Sequence, residues 1–496
     1  MVFSFMWGTL QIFFHIFIRF AHIFYRKCVT LRENCAYMKQ LLLSVLLLSI
    51  CACLIPSPAR AQEAWKSKDD SLLSRSERIR QSDYKVSIRQ GGRWREQKVY
   101  GALVSNIVRR QYNETDTAGR ERTLMGFCPF TNKFRHSVKV RIQRQGAPFQ
   151  TVQVRPTEYE IPCRKIDERT VEIELRSPKE KVSVEFDGDR DHNIFVWPDL
   201  PDSDQPSKEA KDVLFYGPGE HEAGEIRLQS GQTLYLAEGA VVYGRITAHD
   251  AQNIAVRGRG ILCGSREIHD FDRRPCLIQL NKCKNVRFEG VIFRDSPAWT
   301  MNIGNCDSVL IDNVKHICWM RNSDGIDLCN VRHALIKDCF LRNYDDNISL
   351  KNYPQGNAKD ANLYDIRMEN CTVWADCAHN LLVGPESHSD LYMSDIDFRH
   401  IQILEGRETA YPWKGCIAVM VSDEGTFRNI SFQDICLDHV RGGQIYSIDF
   451  CTYRTMGKEC SNVLLKDVRH LGSERLPKGV VHEKVENCRI ENVAEE

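Results

Sequence analysis

Asn253-Ile254-Ala255-Val256-Arg257-Gly258 returns further along the chain as Asn285-Val286-Arg287-Phe288-Glu289-Gly290. Related units follow at Ser308–Asn313, Ala334–Asp338, Tyr364–Asn370, Asp395–His400, Asn429–Asp434 and Asn462–Asp467, spaced by 23 to about 34 residues. Apolar and polar residues alternate within each unit, which is the period of a half-buried strand. A single strand of this kind cannot bury its own apolar side, so the units must stack on one another. Long helical periods are absent, which removes helical and leucine-rich repeats. A propeller needs more strands per period. The pattern therefore predicts an all-β chain whose larger part, 213–496, is a right-handed parallel β-helix with Asn and Gly at its corners.

Upstream the texture differs. Between residues 62 and 197, Ser137–Ile142, Thr170–Leu175 and Lys181–Phe186 place apolar side chains on one face only. Such strands pair antiparallel and build a β-sandwich ahead of the helix. The Pro-rich polar run Pro198–Lys208 reads as the start of a linker over 198–212. Met38-Lys39-Gln40, an apolar run Leu41–Leu54 and Ala59-Arg60-Ala61 have the order of a secretory signal peptide cleaved after Ala61. Residues 1–61 are thus expected to be an upstream extension plus signal, and the mature protein to be secreted or periplasmic with no membrane span. Two alternatives remain, a membrane anchor over Phe3–Phe24 and a lipoprotein site at Cys53.

A net charge of +1 gives no bulk attraction for nucleic acid. Of the 20 cysteines, four precede the expected cleavage point, and many others sit in apolar strand-like runs. Most are read as small core residues, with a few disulfides open after export. No Cys-x-x-Cys pair exists, and neither metal nor cofactor is expected.

The chemistry gathers in Met320–Lys351. Asn322-Ser323-Asp324 precedes Asp345-Asp346 by about the length of one coil, so stacking brings Asp324 level with the Asp pair. Crowded carboxylates raise one another's proton affinity, which lets one stay protonated beside ionised neighbours. An acid and a base side by side are what glycosidic cleavage requires. Asp327 should point elsewhere by strand alternation. Trp299, Trp319 and Trp374 are candidate sugar-stacking rings or core residues; Lys351 and Arg321 flank the centre as ligand contacts or solvated rim.

These motifs resemble those of glycoside hydrolase family 28, the polygalacturonases. Asn322-Ser323-Asp324 is similar to the family's Asn-Thr-Asp, Asp345-Asp346 to its Asp-Asp, and His379 to the His of its Gly-His-Gly, without the glycines. The family's Arg-Ile-Lys, which holds a substrate carboxylate, has no counterpart near Gly415–Ser422. The sandwich and the entry Tyr216–Ala240 look more like family 49, the dextranase and isopullulanase group. The resemblance spans about Phe215 to Asn462. It implies a secreted inverting hydrolase acting on a polysaccharide or oligosaccharide. Asp345 would be the general acid, Asp324 and Asp346 would activate water, and His379 would tune the acid; Asn322, Lys351 and Trp319 would bind substrate. A family 49-like α-glucan hydrolase, a β-helix lyase and a non-catalytic carbohydrate-binding β-helix are the alternatives.

Overall fold

The computed structural model describes residues 83–494, apart from 106–121, 135, 268–274, 353–360, 389–390, 407–414, 443, 474 and 478. The signal-peptide and anchor readings lie outside these residues. The alternating segments form two five-stranded sheets. In Val138–Arg144 the residues Val138, Val140 and Ile142 point into the core, while Arg141 turns outward and bonds Glu172 on the next strand at 3.0 Å. Gly91 and Gly92, both at positive φ, close the hairpin between Tyr84–Gln90 and Arg93–Gln97, a turn whose central pair must be left-handed. One pairing departs from the antiparallel expectation: Arg122–Thr131 runs parallel to Asp189–Asp199. The strand also extends through Pro198 and Asp199, two residues read from sequence as linker. Asp199 is buried there and takes the Lys315 ammonium at 2.8 Å.

From Val213–Tyr216 to Arg489–Val493, 26 strands form one coiled sheet whose successive turns pair parallel. A typical coil is Ile326–Cys329, Arg332–Lys337 and Phe340–Asn343, each strand lying on its equivalent one turn later. The shape is a parallel β-helix, right-handed as crossovers of parallel strands are. Its interior is a set of stacked columns, among them Ile278, Met301, Ile326, Ile348, Leu381 and Ile417. Phe398 and Phe432 stack with centroids 4.9 Å apart and planes 2° from parallel. The corners explain the repeat. Asn253, Asn285, Ser308, His333, Asp365, Asp395, Asn429 and Asn462 all have φ from 55° to 62°. Asn and Asp tolerate this left-handed bend better than other residues with side chains. Their amides then bond from coil to coil, Asn285 to Asn253 at 2.8 Å and Asn462 to Asn429 at 3.0 Å.

The sandwich docks on the helix through Phe127, Phe195 and Trp197, which meet Ile317, Phe340 and Trp374. Trp374 is fully buried here, under the Arg342 guanidinium at 4.2 Å, so the sugar-stacking reading of this ring is wrong. Arg155, also fully buried, reaches from the sandwich to the carbonyls of Leu404 and Asp438. All 16 cysteines of the described residues are free thiols, and 13 are buried, as small core residues should be.

His316 is fully buried inside the helix, in the column with Phe293 and Leu341. Burial drives its pKa down to about 3, so the folded protein keeps the ring neutral. The unfolded chain binds that proton near 6.5, so stability is lost as pH falls from about 6.5 toward 3. His316→Leu should flatten this slope. Urea unfolding at pH 7 and pH 4 is expected to give the variant a smaller pH-dependent loss than wild type, by on the order of 2 kcal/mol.

Candidate active site

The carboxylates sit at one corner of the β-helix, just before the strands of a single sheet. Ile326, Ile348 and Leu381 are in register, so the residues two positions earlier, Asp324, Asp346 and His379, form a column across three coils. Backbone bonds carry this alignment into the turn: Gly325 N–H donates to the Asp346 carbonyl at 2.7 Å, and Asn347 N–H to that of His379 at 3.0 Å. Gly325 is required there, because a Cβ would lie 2.3 Å from the Asn347 carbonyl oxygen. Behind the column runs a buried amide chain. Asn343 donates to Asn347 at 2.7 Å, Asn347 to Asn380 at 2.9 Å, and Asn380 to the Glu405 carbonyl at 2.9 Å. Asn380 thus uses as a side-chain anchor the place where the family pattern has a glycine. On the other side of His379, Ala378 adopts φ 62°, a glycine-like conformation kept without the glycine.

His379 meets Asp346 twice, with Nδ1 at 2.8 Å and its backbone N–H at 2.9 Å, both on Oδ1. Burial would raise the Asp346 pKa, but His379 and Lys351 outweigh it and hold the carboxyl below its usual range. Asp345 is half-buried beside it, its Oδ1 accepting the Asp346 N–H at 3.2 Å. Asp324 is 4% exposed. Burial first, then the charges of Asp327, Asp345 and Asp346, push its pKa well above the carboxylate range, with Lys351 opposing. Asp327 is pushed up to about 7, by burial and then by Asp346 and Glu386 against the pull of Lys351. Crowding thus separates the carboxyls into proton holders, Asp324 and Asp327, and an ionised one, Asp346.

Several expectations are revised. Asp327 does not point away. Asp324 lies in the turn before Ile326–Cys329, so strand alternation starts after it, and the outward face of that strand carries Asp327 into the cluster. Lys351 is neither rim nor open ligand contact, since its Nζ lies 2.8 Å from Asp327, 3.1 Å from Glu386 and 3.5 Å from Asp324. Trp319 is buried and donates its indole N–H to Asp295 at 3.0 Å, which removes it as a sugar contact. Trp299 instead packs over the Lys351 ammonium at 3.7 Å. Asn322 holds the left-handed bend of the Met320–Asp324 turn. Sequence reading missed Glu386, which follows from register: Leu350 pairs with Val383, so Lys351 lies level with the turn Gly384-Pro385-Glu386. It also missed Tyr453, an exposed ring whose hydroxyl donates to Glu386 at 3.1 Å.

At the place of the missing Arg-Ile-Lys, the strand Gly415–Val421 turns Ile417, Val419 and Val421 into the core. Ala418 and Met420 face the other way, against Leu382. A cavity of about 740 Å³ lies elsewhere, along the strands that carry Ala255, Arg287, Leu310, Leu335 and Arg367. None of Asp324, Asp345, Asp346 and His379 lines it, so its size does not mark the chemistry. Among the described residues no group of three His, Cys, Asp or Glu side chains is arranged to hold a metal, and no helix is long and apolar enough to cross a membrane.

The model of the glycosyl hydrolases family 28 matches residues 245–492. Polygalacturonase QRT2 of Arabidopsis thaliana is 22% identical over 267 residues, 49% of this chain and 57% of that protein. Probable polygalacturonase At3g15720 of the same plant is 28% identical over 105 residues, 20% of this chain and 23% of that protein. The chain thus spans little more than half of the first relative and about a quarter of the second. The solved structure of Dex49A from Penicillium minioluteum has a TM-score of 0.52 at 16% identity, over 84% of this chain and 89% of that one. That likeness is one of fold, and it extends across the sandwich as well as the helix.

Proposed function

The chain belongs to glycosyl hydrolase family 28, a hydrolase acting on glycosyl bonds, and from that premise we propose an exported, inverting enzyme that cleaves a neutral or mixed glycan. The column Asp324–Asp346–His379 with Asp345 beside it carries this reading, because it gathers three carboxyls at one corner and keeps Asp346 among them ionised. Asp345 protonates the leaving oxygen. Asp346, kept ionised by His379, draws the proton from the attacking water, and Asp324 shares this role once it has lost its own proton. Inversion follows from a water held between acid and base on opposite sides of the scissile bond. The exposed ring of Tyr453 offers a sugar an apolar face next to the cluster.

Two features bear on substrate charge. Ala418 and Met420 stand where the family's carboxylate-binding Arg and Lys are expected, and the Lys351 ammonium is already shared by three carboxylates. A uronate held there would be desolvated without a bidentate partner. Purified protein should release reducing sugar from a galactan or a linear α-glucan faster than from homogalacturonan. Faster turnover of homogalacturonan overturns the charge reading. An ultraviolet-absorbing unsaturated product, or retained anomeric configuration by nuclear magnetic resonance, overturns the mechanism.

A further inference from the structure

Lys351 is a cation enclosed by acids. Its side chain is 5% exposed, and its Nζ lies within 3.5 Å of Asp327, Glu386 and Asp324. Three separate elements supply these partners: Asp324 the turn before Ile326–Cys329, Asp327 that strand itself, and Glu386 the turn after Leu381–Val383. Trp299 covers the ammonium from a fourth side. Asp346, Cys329, Cys276 and Tyr453 also feel its charge. A buried ammonium is costly unless paired, and buried carboxylates are costlier still without it. The four groups therefore stand or fall together. Asp324, the member that also belongs to the catalytic column, is the one farthest from the ammonium.

We propose that Lys351 is a positioning residue: it anchors Asp327 and Glu386 and thereby fixes the place and the proton content of Asp324, without touching the sugar. The proposal rests on the reading of Asp324 as part of the hydrolytic centre. Glu386 is the counterweight. It shares the same ammonium, and its negative charge raises the proton affinity of Asp327 against the pull of Lys351. Removing Lys351 and removing Glu386 must then act in opposite directions. Without the ammonium, Asp324 and Asp327 hold their protons to higher pH. Without Glu386, its repulsion of their negative charge is gone, and they release protons at lower pH.

The test compares Lys351→Met, Lys351→Arg and Glu386→Gln with wild type, using the fastest-cleaved of homogalacturonan, galactan and linear α-glucan. Lys351→Met is expected to lower kcat by at least about tenfold with little change in KM, and to move the acid limb of the kcat profile up by about one pH unit. Glu386→Gln should move that limb down, and Lys351→Arg should restore it most of the way. A carboxyl titration followed by infrared difference spectroscopy on the protein alone should show the same opposed shifts. Shifts of one sign in both variants overturn the proposal, as does a raised KM at an unchanged limb, which would make Lys351 a sugar contact. If Lys351→Met fails to fold, an unmoved limb in Glu386→Gln overturns it as well. The infrared shifts need no substrate, so they separate this proposal from the hydrolytic reading, which fails on its own if Asp345→Asn stays active.

Discussion

Asp345→Asn is expected to lose at least about 10²–10⁴-fold in turnover while keeping the fold and close to normal substrate affinity. Asparagine fills the same space and can still accept the Asp346 N–H, which reaches Asp345 at 3.2 Å, so the corner keeps its shape. What it cannot do is give a proton to the departing oxygen. Asp346→Asn and Asp324→Asn should fall in the same range, because the first removes the ionised base and the second a member of its column. His379→Ala should cost less, since the Asn380 amide chain still holds the backbone there. Rates measured with the best glycan, beside unfolding curves and binding of that glycan, check the order. An Asp345→Asn enzyme with wild-type turnover would remove the assignment.

The second large effect concerns stability. Arg155→Met is expected to destabilise the protein by about 3–5 kcal/mol, read as a fall in the urea midpoint. Arg155 bonds Glu185 Oε1 through Nε at 3.0 Å and through a terminal nitrogen at 2.7 Å, and Glu185 is 1% exposed. Removing the guanidinium strands this carboxylate, for which Arg190 at 3.8 Å is too distant a substitute. It also strips a donor from the buried carbonyls of Leu404 and Asp438, at the junction of sandwich and helix. The double variant Arg155→Met with Glu185→Leu should recover a good part of the loss, because the stranded charge is then gone. A single variant within about 1 kcal/mol of wild type would show that the junction does not depend on this pair.

Much of this architecture was legible because it is periodic. The residues that begin each repeat unit are those forced into the left-handed bend, so Asn253, Asn285, Asn429 and Asn462 announce their own corners. Coil length then placed Asp324 over the Asp pair and gave the parallel β-helix. Other features escaped. Strand alternation was counted from Asp324, which belongs to a turn, and so Asp327 was sent to the wrong side. Glu386 enters the cluster only through a pairing one coil away, where nothing local in Gly384-Pro385-Glu386 signals a buried salt bridge. Trp319 and Trp374 carry the same residue type as a sugar platform, and only their surroundings, Asp295 for one and Arg342 for the other, place them in the interior. The parallel strand pair in the sandwich escaped too, since alternation fixes a face and not a direction.

The stacking of Asp324, Asp346 and His379 has a consequence for how such an enzyme can change over time. Each coil pairs only with its two neighbours, so the column is a local arrangement of three turns in a long cylinder. Whole coils can be gained or lost at the far ends by recombination, in steps of about 4.8 Å, without disturbing the reacting groups. A single residue inserted within Ile326–Cys329, Ile348–Lys351 or Leu381–Val383 would instead shear the column, turning a side chain inward that must face out. The protein is thus tolerant in its length and brittle in its phase, and descendants with new glycan ranges are to be sought among variants of its ends and turns.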